Sequence, residues 1–147
     1  MEEKYVNEKI YKNFFEDCSE EYRSLLDEML KDEKINDVIT QIMRFEEKAF
    51  FKEAYALAHK MMYIILIDYV VPHMSKKKQI DKWDVIKHLF SEGEDYIANC
   101  IIGINSNMYT FTEDEDASEP DKSDVDYIVK ENCYLYKLLF NKYGKSE

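Results

Sequence analysis

Apolar side chains recur at three- and four-residue intervals along nearly the whole chain, the period of helices that bury one face. Over residues 4–17 the stripe is Val6, Ile10, Tyr11, Phe14 and Phe15, and Ser19 stands where an N-cap for a second helix belongs. That helix sets Tyr22, Leu25, Leu26, Met29 and Leu30 on one side and Glu20, Glu21, Asp27 and Glu28 on the other. The pattern predicts an N-terminal helical hairpin over residues 1–31. Asp32 caps a third helix with the stripe Ile35, Val38, Ile39, Ile42 and Phe45. No Gly or Pro interrupts the chain from there to Val71, a span too long for one ordinary globular helix, so a turn is expected near Glu46–Phe51. The helix beyond it, about residues 50–71, carries Ala54, Ala56 and Ala58, then turns apolar on every side from Met61 and stops at Pro72. A helix of that kind is expected to be enclosed by others.

Ile80–Asp81 opens a short helix with Trp83, Val85, Ile86, Leu89 and Phe90, and Gly93 ends it as a left-handed cap. Tyr96, Ile97, Cys100, Ile101 and Ile104 line the next helix, which is expected to fade into a long acidic connection. Ser123 with Asp126 reads as a capping box for the last helix. Two stripes follow there, Val125, Ile128, Leu135 and Leu139 beside Val129, Cys133, Tyr136, Phe140 and Tyr143, and Gly144 ends it.

Composition agrees, because three glycines and two prolines in 147 residues leave few places for turns. The expected fold is all-α: a single domain, 1–147, of about six to seven helices around the central apolar helix, with an acidic loop over 112–123. The apolar run Met61–Val71 is eleven residues long and contains Asp68. A membrane crossing takes about 20 residues, so no membrane span is expected. The acidic, amphipathic N-terminus lacks the layout of a signal peptide, and the expected location is cytoplasmic. Cys18, Cys100 and Cys133 lack the paired spacing of a zinc site or a disulfide framework. Three reduced thiols, no metal and no cofactor are expected.

The net charge of −11 is unevenly placed. Residues 1–34 carry eleven acids against six bases, residues 113–126 (EDEDASEPDKSDVD) carry eight against one, and residues 35–112 are nearly balanced with ten against nine. Nucleic-acid affinity rests on Lys and Arg displacing counterions from phosphates, and only two arginines, Arg23 and Arg44, are present. Autonomous nucleic-acid binding is therefore not expected, and a basic protein partner is.

Asp68 is a carboxylate set inside an apolar run, and burying it unpaired would cost several kcal/mol. It is expected to face a solvent gap near the helix end or to pair with a base such as Arg44. A raised pKa and an acid–base role form the alternative. His59 lies two to three turns away, too far to form a dyad with it, and reads as a packed histidine. Lys76, Lys77 and Lys78 read as a solvated turn. Twelve tyrosines suit interfaces, where an apolar body and a polar tip are both useful.

The stretch FFKEAYALAHKMMYIILIDYVV, Phe50 to Val71, resembles the second helix of HEPN domains, with its aromatic–x–x–Ala start followed by small residues. The run from Ile102 to Gly144 resembles their closing pattern of a helix, a polar turn and a final helix with an acidic start. Together the two cover about 32–144. Many HEPN domains are ribonucleases or toxins that use an Arg followed four to six residues later by His. Neither arginine here has a His in that window, and the corresponding region reads Asn105-Ser106-Asn107-Met108-Tyr109-Thr110. The resemblance implies the fold without the catalysis.

The expected function is a non-enzymatic acidic protein-binding module that neutralises a basic partner such as a nuclease or toxin, in the manner of an antitoxin, immunity protein or inhibitor. Glu113, Asp114, Glu115, Asp116, Glu119 and Asp121 are the expected contacts, and the acids of the first helix can extend them. A diverged HEPN-like ribonuclease or nucleotide-binding domain using Asp68, His59 or the Asn105–Tyr109 turn is the alternative. A homo-oligomer formed through the apolar helix and the tyrosine-rich final helix is a third possibility.

Overall fold

The computed structural model of the chain describes residues 2–16, 18–74, 81–112 and 119–143. These form α1 (Glu2–Phe14), α2 (Glu20–Leu30), α3 (Glu33–Glu47), α4 (Phe51–Tyr69), α5 (Lys82–Ser91), α6 (Asp95–Thr112) and α7 (Lys122–Tyr143), with a short 3-10 turn at Val71–His73 after α4. No strand occurs among the described residues.

Local chemistry starts and stops these helices where the polar punctuation expects it. Ser19 accepts from the amide of Tyr22, and Asp32 accepts from the amides of Lys34 and Ile35. Asp81 and Asp84 form a reciprocal capping box at the head of α5. The α3–α4 turn falls at residues 48–50, inside the interval expected. There the Ala49 amide donates to Glu46 O at 3.0 Å and the Phe50 amide to Phe45 O at 2.8 Å. This pair of bonds, with Ala49 at φ 60° and the Phe45 and Phe50 rings 6.3 Å apart, is a Schellman ending. The end of α5 repeats it around Gly93, at φ 79°.

α4 is the central helix, packed against α3 and α7 along its length and against α5 and α6 as well. Ile35, Ile39 and Ile42 of α3, Met61 and Ile65 of α4, Ile101 and Ile104 of α6, and Val129, Cys133 and Leu139 of α7 are all removed from solvent in one continuous core. Ala54 and Ala58 point inward and let α7 approach, so that Asn132 Nδ2 reaches Ala58 O at 2.7 Å. Ala56 is exposed.

Four expectations are corrected. α4 is not enclosed on every side: Tyr63 and Ile67 are 37% and 58% exposed, because its neighbours leave one stripe uncovered. Tyr96, assigned to the buried face of α6, is 71% exposed. α6 continues through the Asn105–Thr110 stretch to Thr112, since Asn, Ser and Thr weaken a helix without breaking it as Pro or Gly does. The capping box of α7 is Asp121 with Asp124, whose side chains and backbone amides bond reciprocally at 2.9 and 3.0 Å. Ser123 instead donates to Asp121 Oδ1. The segment Phe51–His73 is, by length and composition, apolar enough to cross a membrane, with a mean hydropathy of 1.3 in its most apolar stretch. The eleven-residue run of the sequence reading left out its alanine-rich first turns. Half of that stretch is buried inside the bundle.

Candidate functional site

A cleft of about 580 Å³ lies between α2 and the C-terminal half of α7. Its floor is Tyr22, Leu25 and Phe140, and its α2 wall is Glu21, Ser24 and Glu28. Lys137 and Asn141 form the α7 wall. The helical period produces this arrangement: residues 21, 24, 25 and 28 share one side of α2, and 137, 140 and 141 share one side of α7. The three floor residues pack against the core yet keep part of their surface open. Burial pushes the Tyr22 phenol up, and the Lys137 ammonium stands 5.8 Å from that ring's centre. Glu28 pairs with Lys31 at 2.8 Å, while Glu20 and Glu21 are exposed and have no ion-pair partner among the described residues. The sequence reading placed Tyr22 and Leu25 on a buried face and Phe140 in a buried stripe. Only the spacing of the two helices, which is not written in either stripe, shows that these residues stay open to a ligand.

A second polar site joins α1, α3 and α7. Glu46 is 8% exposed and accepts from Asn13 Nδ2 at 2.9 Å through Oε1. Its Oε2 and Asp126 Oδ1 are both buried and meet no donor from another residue, whereas Asp126 Oδ2 takes the Lys122 ammonium at 2.7 Å. A proton shared between the two carboxyls satisfies both oxygens. Burial, followed by the hydrogen bond to Asp126, pushes the Glu46 carboxyl up to about 8. Lys9, Lys12, Met43, Glu47 and Lys122 line a shallow cleft over it. Glu46 was read as part of a turn. The available signal was its place four residues after Ile42, on the buried stripe of α3.

Asp68 pairs with Lys34 of α3 at 3.4 Å and keeps a quarter of its side chain exposed, so it has the partner and the solvent access expected of it. The partner is not Arg44, which is exposed on α3. His59 is buried, with Nδ1 3.1 Å from Tyr55 O and Nε2 3.2 Å from Ile104 O. Burial holds its pKa below the usual value, and the bonds to the two carbonyls act against that shift. Asn105 follows Ile104 and accepts from Lys82 at 2.6 Å. The fold thus brings His59 close to Asn105 and leaves Asp68 apart from both.

Of the six acids expected to meet a partner, Glu113, Asp114, Glu115 and Asp116 lie outside the described residues. Glu119 is exposed. Asp121 is exposed too, but its Oδ1 is occupied by the Asp124 amide and the Ser123 hydroxyl. Asp124 and Asp126 are likewise engaged in starting α7 and seating it on α3. No group of three or more metal-ligating side chains occurs among the described residues.

The fold defined by these observations is an all-α bundle with a cleft between α2 and α7 that is apolar at the floor and acidic along one wall. Comparison with protein-family models, with characterised proteins and with solved structures finds no match for this chain.

Proposed function

We propose that the chain is a non-enzymatic, acidic protein-binding module that neutralises a basic protein partner. The observation that carries this reading is the α2–α7 cleft, where the exposed Glu21 and Glu28 stand beside an open apolar floor, with Glu20 exposed on the same helix. A floor of Tyr, Leu and Phe supplies contact area, and carboxylates along its edge select positive charge and speed the encounter. The net charge of −11 adds a long-range attraction for the same class of partner. Glu119 lies near the opposite end of α7, so a partner that also reaches Glu119 and Asp121 has to follow that helix along its length.

The test is capture from cells of the source organism at low salt, followed by identification of the co-purifying chain and measurement of its binding. The expected partner is basic and leaves the column as salt rises. Neutralising Glu20, Glu21 and Glu28 together to Gln slows its association about tenfold and flattens the salt dependence. A partner of acidic character, or one whose binding is indifferent to salt, overturns the proposal.

A further inference from the structure

We infer that the α2–α7 cleft is the seat of an amphipathic helix of the partner, carrying Lys or Arg at two positions seven residues apart with an apolar pair between them. The inference rests on the protein-binding reading above and goes further by giving the partner segment its shape and spacing. Glu21 and Glu28 are separated by seven residues, which is about 10.5 Å along a helix at 1.5 Å per residue. A second helix laid alongside α2 repeats that distance between its own positions i and i+7, so each basic side chain meets one glutamate. Positions i+3 and i+4 of that helix then fall midway, over Leu25 and between Tyr22 and Phe140.

The cleft's volume of about 580 Å³ accommodates a pair of leucine-sized side chains with part of their backbone. An extended strand fits less well, because seven extended residues cover about 23 Å and carry their charges past the second glutamate. Charge complementarity favours the same occupant. The α2 wall has two carboxylates, and among the described residues one of them has no ion pair and Lys137 is the only cation lining the cleft. Lys137 already stands near the face of Tyr22, the position that a partner's cation takes when it stacks on that ring.

The experiment uses the full chain and a synthetic 14-residue helical peptide with Lys at positions 4 and 11 and Leu at 7 and 8, followed by fluorescence anisotropy at low salt. Micromolar binding is expected for this peptide, with at least a tenfold loss when both Lys are replaced by Glu or both Leu by Gln. On the protein side, Glu21→Lys with Glu28→Lys weakens the peptide about tenfold, and both positions are exposed, so the bundle is retained. A control of equal charge change, Glu33→Lys with Asp37→Lys on the exposed side of α3, leaves binding within twofold. Equal weakening by the control shows diffuse attraction and overturns the inference, as does equal binding of the Glu-substituted peptide. Moving the second Lys from position 11 to position 9, which keeps both Leu and turns that charge away from α2, weakens binding, and an unchanged affinity overturns the spacing. If the natural partner is basic and salt-sensitive yet indifferent to Glu21→Lys with Glu28→Lys, the protein-binding reading stands and the cleft assignment falls. If the peptide binds as described but the natural partner is not basic, the reverse holds.

Discussion

Glu46 makes the stability of the whole chain depend on one proton. Its carboxyl titrates near 8 in the folded state against an ordinary value near 4.5, so the folded chain keeps a proton that the unfolded chain releases. The sign follows from linkage: where the native state binds more protons, stability falls as pH rises. The contribution of the pair is full below about pH 4.5, declines through the window up to about 8, and is lost above it. Lys9, Lys12, Lys122 and Glu47 line the cleft over this pair. His59 works in the opposite direction, because its folded value is depressed and acid below about 6.5 favours the unfolded chain. Chemical denaturation at pH 7 and at pH 9 spans the Glu46 change, and comparison with Glu46→Gln separates it from the Cys100 and Cys133 thiols, whose raised values also make alkali favour the unfolded chain. The wild-type chain is expected to lose stability between the two, and Glu46→Gln, which keeps the shape and donates to Asp126 without a titrating proton, is expected to flatten the change. An equal loss in the variant would mean that the pH dependence comes from elsewhere. The sequence does show that residue 46 falls on a buried stripe. It does not show Asp126 opposite, because that meeting depends on how α7 crosses α3.

At the scale of elements, the sequence was read most accurately where a side chain and a backbone amide close a ring within a few residues. Ser19, Asp32, Asp81 and Gly93 are such cases. The α7 cap failed by two residues because Asp121, Ser123, Asp124 and Asp126 all offer the right chemistry, and only the backbone decides which is used. α6 runs past its expected end because Asn, Ser and Thr weaken a helix without breaking it. The two Schellman endings give a direct comparison, since one has Gly at the left-handed position and the other has Ala49. A β-carbon at φ 60° costs about 1 kcal/mol relative to Gly. Ala49→Gly is expected to raise stability by about 0.5–1 kcal/mol, a melting-temperature gain of about 2–4 °C for a chain of this size. Gly93→Ala is expected to lower stability by about 1 kcal/mol, purely through its backbone, since a Cβ there meets nothing within 4 Å. Thermal melts of the two variants should move in opposite directions.

At the scale of the molecule, the surplus of acid was legible from composition, and the place where it borders apolar surface was not. Segment counts pointed to 113–126, yet Asp121, Asp124 and Asp126 are engaged in building α7. The expected accessory surface is the acids of the first helix, whereas Glu21 and Glu28 of α2 are the acids that line the α2–α7 cleft. The difference arises because a stripe of hydrophobic positions says which side of a helix turns inward and says nothing about the width of the gap to the next helix. Tyr22, Leu25 and Phe140 belong to inward-facing stripes and still remain partly uncovered.

The three free cysteines are graded in depth. Cys18 and Cys100 are half-covered and Cys133 is wholly enclosed between α7 and its neighbours. Burial pushes the Cys100 thiol up to about 12 and the Cys133 thiol up as well, so neither offers much thiolate until water reaches it. The chain thus carries an internal clock. An alkylating reagent reaches Cys133 only when the bundle opens around it, and mass spectra taken over time would follow those openings through the slow third adduct.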